Sequence, residues 1–173
     1  MEIEIRPFTK ADIPDKIRWI NDPRVNQFLH YDLPLEQEKT ERWFESVKDR
    51  TDRFDGVILT DGRACGSLGL LNIDRKSQKA ELYIAMGEPE LGGRGVAGEA
   101  CRLLLRFAFE DLALHRVYLY TETGNLRAVR LFERLGFRRE GLLREEILSH
   151  GKLADRYVYG MLREEFLKGA ETD

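Results

Sequence analysis

Three apolar, β-rich runs follow one another between Phe54 and Met86, and directly behind them come a glycine-rich segment and a helical period. The runs are Phe54 to Thr60, Ala64 to Asn72 and Ala80 to Met86. Asp61-Gly62, a hairpin-turn dipeptide, separates the first two, and the polar stretch from Asp74 to Lys79 separates the second from the third. Three successive antiparallel strands are the economical reading. A doubly wound parallel sheet, in which strands and helices alternate, does not fit this order.

The flanking segments complete the order. Residues 2–8 alternate Ile3 and Ile5 with charged neighbours, as a half-buried strand does. Thr9 reads as an N-cap with Asp12 in the first turn, opening a helix that should bury Ile13, Ile17 and Ile20. Pro14 fits only in that helix's first turns. A second helix is expected over about 35–49, carrying Leu35, Trp43, Phe44 and Val47, and a third over 96–112, where Ala97, Ala100, Leu103, Leu104, Phe107 and Ala108 recur. A strand over 116–122 follows, then a helix over 126–135 capped by Asn125 and stopped by Gly136. Strands 142–149 and 153–162, turned at His150-Gly151, close a single expected domain, 1–173. The order βααβββαβαββ is a mixed α/β (α+β) architecture with a largely antiparallel sheet.

Composition narrows the partners. A 42% hydrophobic and 34% charged chain of 173 residues reads as one globular domain. Its formal charge of −3 implies no broad phosphate-neutralising surface, so nucleic acid is not an expected partner. No apolar run reaches the roughly 20 residues of a membrane span. The start Met1-Glu2-Ile3-Glu4-Ile5-Arg6 lacks the basic and apolar blocks of a secretion signal, so a cytoplasmic location is expected. Cys65 and Cys101 lie far apart and read as buried thiols, and His30, His115 and His150 form no helical pair, so no metal site is expected.

The segment Leu91-Gly92-Gly93-Arg94-Gly95-Val96-Ala97-Gly98-Glu99-Ala100 carries the chemistry. Small residues let backbone N–H groups converge, and the helix N-terminus behind them adds partial positive charge, a combination that suits phosphate. Arg94 adds a charge-assisted contact. Residues 93–98 also spell the dinucleotide fingerprint G-x-G-x-x-G, with Glu122 as the acid further on. In a dinucleotide fold, however, the first glycine follows its strand directly, whereas here Gly87 to Gly92 intervene and three antiparallel strands come first.

With these motifs the chain resembles the GNAT superfamily of acyl-CoA-dependent N-acyltransferases, over nearly its whole length. That family's pyrophosphate motif, Q/R-x-x-G-x-G/A, overlays Gly92 to Ala97. Trp19-Ile20-Asn21-Asp22-Pro23, Glu99-Ala100, Asn125, Ala128, Gly136-Phe137, Glu140-Gly141 and Arg144 fall where its ribosomal-protein N-terminal acetyltransferase-like branch has them. Trp43-Phe44 is also similar to the superfamily's amino-sugar acetyltransferases.

The resemblance implies acetyl transfer from acetyl-CoA, without a metal, to a primary amine: a peptide N-terminus or a small amine such as an amino sugar, a polyamine or an antibiotic. It implies that Gly92, Gly93, Arg94, Gly95, Val96 and Ala97 bind the coenzyme's pyrophosphate. The strand ending Tyr83-Ile84-Ala85-Met86 would splay from the 116–122 strand in a V, and the pantetheine arm would pair with its exposed edge and with Asn125. His30, Tyr31 and Asp32 fall where the family builds its acceptor pocket. Two positions depart from the pattern. Gly92 replaces a leading Gln/Arg, and Phe132 stands where many members carry the tyrosine that protonates the departing thiolate.

Attack on a thioester requires a neutral amine, and a lysine-like amine (reference pKa about 10.4) is neutral in only about one molecule in a thousand at pH 7. Glu81, on the strand leading to the thioester, is the best candidate base, directly or through water, and Glu88 is a weaker one. Asp155 and Arg144 are expected to bond across the terminal hairpin. Tyr157 and Tyr159 share one face of the last strand, which suits core packing or a homodimer contact. A non-catalytic acyl-CoA-binding module is the alternative that Phe132 and Gly92 raise.

Overall fold

The computed structural model describes residues 1–170. Strand β1 (Ile3–Pro7) pairs antiparallel with β2 (Phe54–Thr60), which pairs with β3 (Arg63–Asp74), which pairs with β4 (Lys79–Met86). Asp61 and Gly62 turn the first hairpin with φ of 48° and 77°, the left-handed geometry that an Asp-Gly dipeptide tolerates. β4 then pairs with β5 (Arg116–Glu122) in parallel, the one parallel pair among the described residues. The terminal hairpin, β6 (Arg138–Ser149) and β7 (Lys152–Leu162), places β7 beside β5, giving the order β1-β2-β3-β4-β5-β7-β6. The mixed, largely antiparallel architecture expected from the order of elements is the one observed.

Seven strands carry helices on two faces. Between β1 and β2 run a 3-10 turn (Lys10–Asp12), α1 (Ile13–Asn21), a short α2 (Pro23–Asn26) and α3 (Gln37–Val47). α4 (Val96–Arg106) crosses from β4 to β5 and continues as a π-helical stretch (Phe107–Asp111). α5 (Leu126–Arg134) links β5 to the terminal hairpin, and α6 (Arg163–Ala170) follows β7. Several details differ from expectation. The second helix is confined to 37–47, β6 begins at Arg138 rather than 142, and α2 and α6 carried no recognised signal. On α1, Ile17 is only half-buried, and the buried stripe is Ile13, Lys16, Trp19 and Ile20.

The main core lies between the sheet and α4 with α5. Val96, Ala100 and Leu104 recur at helical spacing on α4 and, with Cys101, Leu105 and Phe109, cover Leu68, Leu70, Leu82, Val117, Leu119 and Tyr159. Each buried leucine contributes about 1.5–3 kcal/mol, so Leu104→Ala is the kind of single change that would loosen α4, at about 2–5 kcal/mol. Both thiols lie in this core, and burial pushes that of Cys101 up to about 12. On the opposite face, α1 and α3 bring in Ile13, Trp19, Ile20 and Val47. Two contacts fix α1 to the sheet. Arg6 on β1 donates to both oxygens of Asp12 (2.7 and 2.8 Å), whose carboxylate also accepts from the Thr9 amide (2.8 Å). Burial alone would raise the Asp12 carboxyl, but these donors together hold it below the usual carboxylate range. At the other end the Trp19 indole packs on the bare backbone of Gly87, leaving no room for a Cβ there.

Candidate functional site

β4 and β5 pair only over Lys79–Glu81 with Arg116–Tyr118. Beyond that point they diverge, leaving the β5-facing edge of Leu82 to Met86 open to a cleft of about 1870 Å³. A strand edge with free peptide groups is a template for an extended, amide-bearing ligand.

The cleft's one end is the glycine loop. Gly93 and Gly95 adopt φ of 77° and 79°, a left-handed backbone that only glycine enters without strain. Glu99 makes the first bond of α4, to the Gly95 carbonyl (3.1 Å), so the amides of Val96, Ala97 and Gly98 have no intrahelical partner. Free N–H groups at the positive end of an 11-residue helix attract an anion. Gly92, Gly93, Gly95, Val96 and Ala97 line the cleft, but Arg94 is not among the lining residues. Arginines that the sequence reading passed over do line it: Arg102 on α4, and Arg127, Arg130 and Arg134 on α5. A Cβ on Gly92 would lie 2.4 Å from Arg127 Nη2, so the bare glycine lets the guanidinium from α5 rest directly against the loop. The spacing of 127, 130 and 134 along one helix face was the available signal.

Along the cleft, Tyr83, Ile84, Met86, Asn125 and Phe132 line the walls. Asn125 caps α5, its Oδ1 accepting from the Ala128 amide at 3.3 Å. Phe132 is buried and packs edge-on against Phe137, with centroids 5.7 Å apart. Tyr83 donates its hydroxyl to Asp55 Oδ1 (2.6 Å), and Asp55 is held bidentately by Arg53 (2.7 and 2.8 Å). Burial, reinforced by the Asp55 carboxylate, pushes the Tyr83 phenol well up, so it stays protonated.

Glu81 sits at the apex of the V, on the last paired rung, and lines the cleft. Burial pushes its carboxyl up, Arg156 draws it back, and Glu146 adds to the rise. A carboxylate with raised proton affinity is suited to accept a proton near neutrality. Glu88 is a different case. It accepts from Arg18 (2.6 Å) and from the Trp19 indole (3.0 Å), and the Arg18 bond holds it below the ordinary range. Glu88 therefore ties α1 to the end of β4, a correction to its reading as a base.

The far wall is formed by the segment after α2. His30 and Tyr31 line the cleft, whereas Asp32 is not among the lining residues. His30 Nε2 lies 2.9 Å from Glu122 Oε2, which also accepts from Ser149 Oγ (2.9 Å), so the segment is docked across β5 onto the terminal hairpin. His150 Nε2, 3.1 Å from the Asn26 carbonyl, adds a second tie. On the hairpin itself, Asp155 accepts from the Glu145 amide (2.7 Å) rather than from Arg144, a correction in partner, while Arg156 pairs with Glu146. Tyr157 and Tyr159 share a face with centroids 6.2 Å apart, Tyr159 being fully buried. Among the described residues no group of three or more His, Cys, Asp or Glu is placed to hold a metal ion, and no helix is long and apolar enough to cross a membrane.

A family model described as an acetyltransferase (GNAT) domain matches residues 2–138. The chain is 36% identical over 113 residues to the Bacillus subtilis (strain 168) protein "Putative ribosomal N-acetyltransferase YdaF", the match covering 65% of this chain and 61% of that relative's length. It is 25% identical over 172 residues to the spermidine N(1)-acetyltransferase of Escherichia coli (strain K12), covering 98% of this chain and 91% of the relative. Among solved structures, the Vibrio cholerae spermidine N-acetyltransferase in complex with CoA and spermine superposes with a TM-score of 0.88 at 24% identity, over 95% of this chain and 98% of the other. That last likeness speaks to the fold.

Proposed function

Because the chain belongs to the GNAT acetyltransferase family, we propose that it moves an acetyl group from acetyl-CoA to a primary amine by direct attack in a ternary complex. The observation that carries this reading is the open edge of β4 running from the uncapped amides of α4 to Glu81. One line of backbone thus offers an anion cradle, an edge for an amide-bearing arm and, at its end, a base.

The amides from Gly93 to Ala97 bind the coenzyme's diphosphate, and Arg127 supplies the cation that the motif's leading residue would otherwise bring. The pantetheine amides pair with the edge of Tyr83 to Met86 and with Asn125. Glu81 takes a proton from the incoming ammonium, directly or through water, freeing the nitrogen lone pair. The lone pair forms the C–N bond at the thioester carbon, N–H groups on the splayed strand stabilise the oxyanion, and the C–S bond breaks. Phe132 cannot protonate the thiolate. A leaving thiol with a pKa near about 8.5 needs little help, and the intermediate's own ammonium or a water supplies the proton.

Relatives named for a ribosomal and for a spermidine acceptor leave both a peptide N-terminus and a small amine as acceptor classes. The test is thiol release from acetyl-CoA against a panel of amines, with mass-spectrometric identification of the acetylated product. Turnover on at least one amine is expected. Coenzyme binding with no thiol release on any amine would reduce the protein to an acyl-CoA-binding module.

A further inference from the structure

Lys16 stands on the buried stripe of α1, three residues from Ile13 and from Trp19, where the helical period calls for an apolar side chain. It is only 5% exposed, yet it lines the cleft. Its ammonium lies 4.2 Å from the ring centroid of Trp43, 5.3 Å from that of Tyr31 and 5.8 Å from that of Phe8. Aromatic faces stabilise a cation without neutralising it or using its N–H donors. Carboxylates that line the same cleft are engaged elsewhere: Asp55 by Arg53 and Tyr83, Glu88 by Arg18 and Trp19, Glu122 by His30 and Ser149, Glu133 by Arg139 and Tyr159. Among the described residues, none forms an ion pair with Lys16.

A continuous set of contacts joins this cation to the apex of the V. Lys16 lies over Trp43, Arg53 lies on the same ring (5.8 Å), Arg53 holds Asp55, and Asp55 receives the hydroxyl of Tyr83, two residues along β4 from Glu81. The acceptor wall therefore presents one unpaired cation and, at Glu81, one carboxylate that the reaction needs as a base. Recognition of a polyamine calls for carboxylates facing the cleft, and among the described residues each cleft-lining carboxylate other than Glu81 is already bonded within the protein.

We infer that the acceptor is a primary amine that also carries a carboxylate or phosphate, the anion being received by Lys16 while the amine faces Glu81. The inference rests on the acetyl-transfer reading and specifies its substrate class. A cation held by rings in a mostly desolvated place gains from an anionic partner, and it repels a second cation.

The experiment measures thiol release from acetyl-CoA on charge-matched acceptors: glucosamine against glucosamine 6-phosphate, and an amino-acid amide against the free amino acid and a short peptide with an acidic second residue, with spermidine as the cationic extreme. The native protein is expected to favour the anionic member of at least one pair by tenfold or more in kcat/KM. The sugar, amino-acid and peptide arms identify which anion is read. Lys16→Met should abolish that preference through the KM of the anionic acceptor, with an unchanged Kd for coenzyme A, and Lys16→Arg should retain it. A preference for spermidine over every anionic amine overturns the inference, as does a Lys16→Met variant that lowers all acceptors equally. No thiol release with any amine would remove the acetyl-transfer reading itself, and this inference with it.

Discussion

On the coenzyme side, the cleft is lined by backbone: a run from Gly92 to Ala97 in which two left-handed glycines and a bare helix end do the work, next to an unpaired strand edge. On the acceptor side it is lined by side chains that arrive from distant parts of the chain. His30 reaches Glu122 across 92 residues, and Tyr83 reaches Asp55 across 28. A backbone site depends on local conformation and tolerates many side chains. A side-chain site depends on packing, so its specificity can change without disturbing the first. The difference teaches where the general chemistry of this protein resides and where its choice of substrate resides.

The apex that both walls share should give the largest effect. Glu81→Gln is expected to lower kcat by about 10²–10⁴-fold, with the KM for acetyl-CoA unchanged, in steady-state kinetics. Stability should move the other way. Burial raises the folded Glu81 carboxyl above its unfolded value, so ionisation costs folding stability as pH rises through the unfolded and then the folded pKa. The glutamine variant should therefore melt no lower than the native protein at pH 7. A lower melting temperature there would make Glu81 a structural carboxylate.

A smaller effect, confined to one wall, is expected from Glu122→Gln. Weakening the bonds of a buried carboxylate to His30 and Ser149 costs about 1–3 kcal/mol. The KM for the acceptor should rise roughly tenfold, since 1.4 kcal/mol is a factor of ten. Calorimetry should find the Kd for coenzyme A unaltered. An equal loss of coenzyme affinity would mean that the two walls are one mechanical unit.

Phe132→Tyr should matter least. The ring is buried at the cleft wall, and a phenol there adds a proton donor to a step that already has a tolerable leaving group. A change in kcat of less than tenfold is expected, measured across pH 6–9, whereas a hundredfold gain would show thiolate protonation to be the bottleneck.

How much the amino-acid sequence revealed follows the same division. The strands and their order along the chain were readable because apolar, β-rich runs, those of β2 and β3 buried on both faces, are bounded by turn residues, and because Asp61-Gly62 and His150-Gly151 favour left-handed turns, which they adopt. The glycine loop was readable because its function lies in consecutive residues. Asp32 and Arg94 were drawn in by proximity in sequence, yet neither lines the cleft, since adjacent residues on a loop point apart. Arg127 was missed because its guanidinium meets the loop at Gly92, a contact between residues 35 apart. Lys16 did carry a signal, a lysine between Ile13 and Trp19 on an apolar stripe, but only the three rings around it give that signal meaning.

The most direct test of the account is a calorimetric titration of coenzyme A into the native protein and into Gly95→Val. A β-branched residue at φ near 79° strains the loop by about 1–3 kcal/mol and misdirects its amides. The account predicts one-to-one binding to the native protein, weakened by inorganic pyrophosphate, and an affinity at least tenfold lower for the variant. No binding to the native protein, or an identical Kd for the two, would contradict it.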